Sequence, residues 1–152
     1  GEESIVRVLL TAGANPKISD KFGRSVVVEP AWKGNAEIVR MLLEAGAEVN
    51  VQGKESRLLH EVIERGNHAV VAELVKGGAN LNTLKNDKEP MPVLYYPIRT
   101  GDLKMVNILL EGGADPRMHY LGKDMFYHAK KLDQDDIYDA IKLAKKKKLY
   151  AR

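Results

Sequence analysis

Residues 42–50 read LLEAGAEVN. Leu42 and Leu43 have the look of a helix end, and Gly46 of its stop signal, because glycine takes a left-handed conformation without a Cβ penalty. Nearly the same words recur as LLTAGAN at 9–15, LVKGGAN at 74–80 and LLEGGAD at 109–115. One chain that ends a helix four times in this way is a chain of internal repeats.

The period can be measured. The four Gly-Ala pairs start at Gly13, Gly46, Gly78 and Gly113, with spacings of 33, 32 and 35. A second marker keeps step with them: Gly34-Asn35, Gly66-Asn67 and Gly101-Asp102. Between the markers, Ile5, Val6, Leu9 and Leu10 correspond to Ile38, Val39, Leu42 and Leu43. They correspond again to Val70, Val71, Leu74 and Val75, and to Met105, Val106, Leu109 and Leu110. This spacing draws one apolar stripe along a helix. A shorter helix fits ahead of each Gly-Asn or Gly-Asp, roughly Ser25–Lys33, Leu58–Arg65 and Val93–Thr100. The unit is turn, helix, tight turn, helix, loop. One such pair cannot bury its apolar face alone, whereas a stack of copies can.

These residues resemble the ankyrin repeat family. The clearest stretch is 13–47, where Gly13-Ala14-Asn15, Asp20, Gly23, Ser25, Gly34-Asn35 and Leu42-Leu43-x-x-Gly46-Ala47 follow the family's order. The resemblance implies an all-α solenoid of stacked antiparallel helix pairs with protruding fingers, in one domain over 1–152. Residues 1–14 are expected to supply the second helix of a partial repeat. Full repeats follow at 15–47, 48–79 and 80–114, and a C-terminal capping repeat with a basic tail at 115–152. The family's Thr-Pro-Leu-His helix opening is weak here: only His60 keeps the histidine, which in the family ties neighbouring loops together. Looser hydrogen bonding between repeats is therefore expected. Pro30 and Pro97 fall in the short helices and should kink them unless they lie in the first turn. The N-terminal end shows no cap, so the chain is expected to be a fragment of a longer array, or to pack or self-associate through that first helix.

Bulk properties exclude several classes of protein. A 44% hydrophobic and 30% charged composition suits a folded domain, and no apolar run approaches a membrane span. No cysteine is present, so disulfides and thiolate metal sites are excluded, in keeping with a cytoplasmic or nuclear location. The net charge of +3 is uneven: every acidic residue lies at or before Asp139, and six of the 24 basic residues lie in 142–152. The four histidines show no metal spacing, with His60 read as a loop tie and His128 as a surface group near the acids at 133–139. Asp133-Gln134-Asp135-Asp136 lacks the glycine and terminal Glu of a calcium loop and suits a helix N-terminus. No phosphate-binding glycine motif or nucleophile elbow occurs. No enzyme, metal or cofactor is expected.

Specificity then rests on residues that stacking does not need. The concave side of a stacked array is made by turns and short helices. In the first full repeat these residues are Lys21, Phe22 and Arg24 on the finger, with Trp32 and Lys33 at the family's variable contact positions. Their counterparts are Lys54, Glu55 and Arg65, then Lys88, Tyr96 and Arg99. Paired carboxylates such as Glu61 and Glu64 read as a solvated face. The expected function is non-catalytic binding of a protein partner through the concave face. The alternative is a regulatory or targeting segment whose basic tail, Lys145, Lys146, Lys147 and Lys148, docks on nucleic acid or an anionic membrane. Both of those partners are disfavoured, because the tail also suits the dipole of the last helix.

Overall fold

The computed structural model describes residues 1–50, 57–85 and 90–150, with side chains of the last helix as far as 146. The protein is mostly helical and divides into two compact units, Gly1–Ala79 and Asn80–Arg152.

The first unit contains α1 (Glu2–Thr11), α2 (Val28–Lys33), α3 (Ala36–Glu44), α4 (Leu58–Glu64) and α5 (His68–Lys76). The long helices form one row, with α3 between α1 and α5; the short helices α2 and α4 pack on each other and on the long helix that follows each. The second unit contains a two-residue ribbon, β1 (Leu84–Lys85) and β2 (Met91–Pro92), then α6 (Tyr95–Thr100), α7 (Leu103–Glu111), α8 (Met125–Lys131) and α9 (Asp135–Tyr150). The strands pair antiparallel, Leu84 with Pro92 and Lys85 with Met91. Here too the short helices α6 and α8 meet, and α7 meets α9.

The repeated sequence markers are the ends of helices. Asn35, Asn67 and Asp102 each cap a long helix, their Oδ1 atoms accepting from the backbone N–H of Ile38, Val70 and Met105 at 3.0–3.1 Å. Each thereby satisfies a donor that the helix leaves open. At the other end of α3, Gly46 turns left-handed (φ +99°). Its N–H bonds the Leu43 carbonyl, and the N–H of Ala47 bonds the Leu42 carbonyl, both at 2.9 Å. That paired closure is the reason the Gly-Ala signal recurs.

The stripe between caps is core. Ile38, Val39 and Leu42 are buried in the first unit, as are Val70, Val71 and Leu74; in the second, Met105, Val106, Leu109 and Leu110 are buried. Full burial of one such side chain is worth about 1.5–3 kcal/mol. In α1 the same stripe is half open: Ile5 and Leu9 are more than half exposed, while Val6 and Leu10 are half-buried. In α9, Ile137 and Ile141 carry the burial and Leu143 is exposed.

Two of the short helices begin later than the sequence pattern suggests. α2 starts at Val28 rather than Ser25, and α6 at Tyr95 rather than Val93. The prolines explain both shifts. Pro30 has no N–H to bond the Val26 carbonyl, so the first helical bond is Ala31 N–H to Val27. Pro97 acts likewise, and the first bond is Ile98 N–H to Leu94. Each proline thus lies in the first turn, where its missing donor costs nothing. α4 has no proline and starts at Leu58 as expected.

Asparagines supply a bond between repeats in each unit. Asn50 Nδ2 donates to the Gly78 carbonyl at 2.7 Å in the first unit. In the second, Asn82 Oδ1 accepts from Asp115 N–H at 2.9 Å. His128 corrects its sequence reading as a surface group. It is 7% exposed, and its Nε2 stands 2.9 Å from the Tyr120 carbonyl, to which it donates. The Tyr95 ring packs on Tyr120 with centroids 4.1 Å apart and meets His128 edge-on at 5.0 Å. A histidine one place beyond the expected position thus holds the last finger, because the aromatic rings around it fix its reach.

Candidate protein-binding surface

The first finger is built around Asp20. Its Oδ1 accepts from the backbone N–H of Phe22 at 2.8 Å and of Arg24 at 3.0 Å. The chain closes through Asp20 N–H to the Arg24 carbonyl and Gly23 N–H to the Asp20 carbonyl, both at 2.9 Å. An aspartate that bonds the backbone ahead of it is a standard way to hold a tight turn. The other carboxylate oxygen, Oδ2, receives Arg24 Nε at 2.8 Å and Nη2 at 2.7 Å. The backbone bond to Arg24, first, and its guanidinium, second, hold the Asp20 carboxyl below the usual carboxylate range.

Arg24 lies between two rings. Its guanidinium carbon is 5.4 Å from the Phe22 centroid and 5.7 Å from that of Trp32. Lys21 adds an ammonium 5.0 Å from the Phe22 centroid. Phe22 itself is 70% exposed. Trp32, at the end of α2, is half-buried. Its Nε1 donates to Glu61 Oε2 at 2.7 Å, and its carbonyl accepts from Arg65 Nη1 at 2.8 Å. Finger, α2 and α4 therefore share one aromatic and cationic surface inside the first unit. Lys33 is exposed at its margin, 3.8 Å from Glu29.

Glu61 corrects the solvated-face reading of that carboxylate. It lies one helical turn before Glu64, the periodic counterpart of Trp32, and so on the same face of α4. That offset is the signal that could have found it.

In the second unit, Arg99 stacks over the Tyr96 ring at 5.0 Å on α6. Lys54, Glu55 and Lys88 lie outside the described residues. Of the basic tail, Lys145 stands 5.3 Å from the Phe126 centroid, and Lys146 is exposed. The side chains of Lys147 and Lys148 lie outside those described. Among the described residues, no helix is long and apolar enough to cross a membrane.

Capped helix pairs at a fixed period, bearing polar and aromatic fingers, define a helical repeat protein. The chain belongs to the ankyrin-repeat family, whose model matches residues 27–54. It is 31% identical over 121 residues to the ankyrin repeat and KH domain-containing protein mask-1 of Caenorhabditis elegans, which covers 78% of this chain and 4% of that one. It is 34% identical over 80 residues to the E3 ubiquitin-protein ligase KEG of Arabidopsis thaliana, covering 51% of this chain and 5% of that one. To the putative ankyrin repeat protein FPV014 of fowlpox virus it is 29% identical over 112 residues, covering 73% and 25%. The chain thus spans between 4% and 25% of the lengths of these relatives. Ankyrin repeats generally mediate protein–protein interaction, and the family is typically non-enzymatic.

Proposed function

We propose that this chain binds a protein partner, without catalysis, through the exposed side of its short helices and fingers, the concave face of an ankyrin stack. In the first unit the contact residues are Lys21, Phe22, Arg24, Trp32, Lys33 and Arg65; in the second they are Tyr96 and Arg99. The observation that carries this reading is Phe22. A phenylalanine 70% exposed at a finger tip, with cations at 5.0 and 5.4 Å, contributes little to stacking. It presents a rigid aromatic anchor at low entropic cost. Trp32 beside it is fixed by Glu61 and Arg65, so the surface is organised before a partner arrives.

Affinity capture with quantitative mass spectrometry tests this. Proteins retained by the wild-type chain should be lost with the Phe22→Ala chain and with the Trp32→Ala, Tyr96→Ala double variant, while circular dichroism is unchanged. Retention of the same proteins at the same affinity by both variants would overturn the assignment of this face.

A further inference from the structure

In the first unit several cations are matched by carboxylates: Arg24 by Asp20, Lys33 by Glu29, Arg40 by Glu37 and Glu44, and Lys76 by Glu73. Lys123 and Lys131, at the two ends of α8, share an aromatic partner instead. Lys123 Nζ lies 5.1 Å from the centre of the Tyr127 ring and Lys131 Nζ 6.0 Å from the same centre. Among the described residues, no carboxylate pairs with Lys123, Lys130 or Lys131. The unit as a whole has charge to spare: residues 80–152 hold fourteen basic and ten acidic residues, against ten and eleven in residues 1–79.

The helix dipole accounts for only part of this. Lys130 and Lys131 stand in the last turn of α8, where a cation is favoured. Lys123 precedes the Asp124 cap, at the end where the dipole disfavours a cation. Its ammonium nevertheless reaches the Tyr127 ring. Lys123, Tyr127 and Lys131 are four residues apart and share one side of the helix. Two ammonium groups over one ring repel each other, and an anion set between them removes that repulsion.

The surface around them is apolar as well as cationic. Tyr127 is 43% exposed. Leu121, 62% exposed, tips the hairpin that leads into Lys123, where Tyr120 and Lys123 bond each other's backbones at 2.8 and 3.1 Å. Leu121 holds φ at +51°, a conformation that leucine adopts only at a cost. A phosphate backbone gains nothing from an exposed leucine. A peptide whose carboxylates flank an apolar side chain uses every member of the patch.

We propose that this face of α8 binds an acidic peptide segment of a partner protein, with its carboxylates on Lys123 and Lys131 and an apolar side chain against Tyr127 and Leu121. The patch rests on the reading of the short helices as a protein-binding side, but it shares no residue with the Trp32 surface, so its peptide test and the capture test can fail separately.

Fluorescence anisotropy on the full 152-residue chain tests it. The probe is a short labelled peptide of glutamates around a central leucine. The comparisons are the same peptide with glutamines and a labelled oligothymidine. The glutamate peptide should bind and the glutamine peptide should not. The Lys123→Ala, Lys131→Ala double variant should weaken binding roughly tenfold. Tyr127→Ala should weaken it too, while Tyr127→Phe, which keeps the ring, should not. A Lys142→Ala, Lys146→Ala control should leave the affinity as it is. Four results would each overturn the proposal: equal binding of both peptides, no effect of the Lys123 and Lys131 changes, an equal loss in the control, or tighter binding of the oligothymidine.

Discussion

The indole Nε1 of Trp32 donates to Glu61 Oε2 at 2.7 Å, joining the end of α2 to the middle of α4. The bond is partly buried, and its acceptor is a carboxylate, so removing the acceptor leaves a half-buried N–H without a mate. Glu61→Ala is expected to destabilise the chain by about 1 kcal/mol, while Glu61→Gln retains an acceptor oxygen and loses less. Trp32 is the only tryptophan, so its emission in a urea titration reads both effects directly. The alanine variant should emit at longer wavelength in the folded state. An unchanged spectrum and midpoint would show that the bond does not form in solution.

A Cβ built on Gly34 would stand 2.6 Å from Asn67 Nδ2, and Gly34 also holds φ at +82°. Asn67 is not a free side chain: its Oδ1 caps α5 at Val70 N–H, 3.1 Å away. Gly34→Ala therefore combines left-handed strain with displacement of a cap, and should cost about 2–3 kcal/mol. In an Asn67→Ala background the clash is gone and the cap already lost, so the same change should cost only about 1–2 kcal/mol. A double-mutant cycle by denaturant unfolding measures the coupling. Strict additivity would mean that the two repeats do not meet at this point.

These two contacts differ in how far the sequence announced them. Gly34 and Asn67 belong to the repeated Gly-Asn marker, and what that marker does is local: a left-handed residue, then a cap reaching three residues on. Local backbone chemistry leaves a periodic trace, so helix ends and the buried stripe were readable. Pro30 and Pro97 were readable only in part. The sequence shows that a proline falls in the first turn or beyond it, but the register of the first bond decides which. Glu61 and His128 lie at the other extreme. Each looks like an ordinary surface group by its residue type and neighbours, and each is defined by a side chain from another element, Trp32 in one case and the Tyr95–Tyr120 pair in the other. Lys123, Tyr127 and Lys131 share a spacing of four, yet only the reach of the two ammonium groups over one ring makes them a group.

Asp133 occupies the place that glycine holds in the preceding repeats, with φ at +53°. Gln134 N–H bonds the Ala129 carbonyl at 3.0 Å, as Asn35 N–H bonds Pro30 and Asp102 N–H bonds Pro97, both at 2.9 Å. The geometry is that of the repeat, with an aspartate forced into it. Asp133→Gly relieves the left-handed strain and gives back part of the gain as unfolded-state entropy. The net expectation is a stabilisation of about 0.5–1 kcal/mol. Thermal unfolding followed by circular dichroism checks the sign, and a lower midpoint would show that the Asp133 side chain supplies something that the strain does not outweigh.

The first finger should respond to acid in a defined direction. Asp20 has its carboxyl lowered below its ordinary value near 3.8, chiefly by the backbone N–H of Arg24 and then by the Arg24 side chain. A group depressed in the folded state contributes fully above its unfolded value and loses that contribution as pH falls through the folded one. The finger should therefore hold its form down to about pH 4 and loosen below 3.8, as protonation strips Oδ2 of its charge toward Arg24. Carboxyl carbon shifts from nuclear magnetic resonance would place the Asp20 titration below 3.8, and the amides of Phe22 and Arg24 should move with it. Asp20→Asn keeps an oxygen for the two amides but abolishes the titration and weakens the hold on Arg24, so its finger should be insensitive to acid in that range. A wild-type titration at or above 3.8 would mean that the Asp20–Arg24 pair is not held in solution, and with it the placement of Arg24 between Phe22 and Trp32.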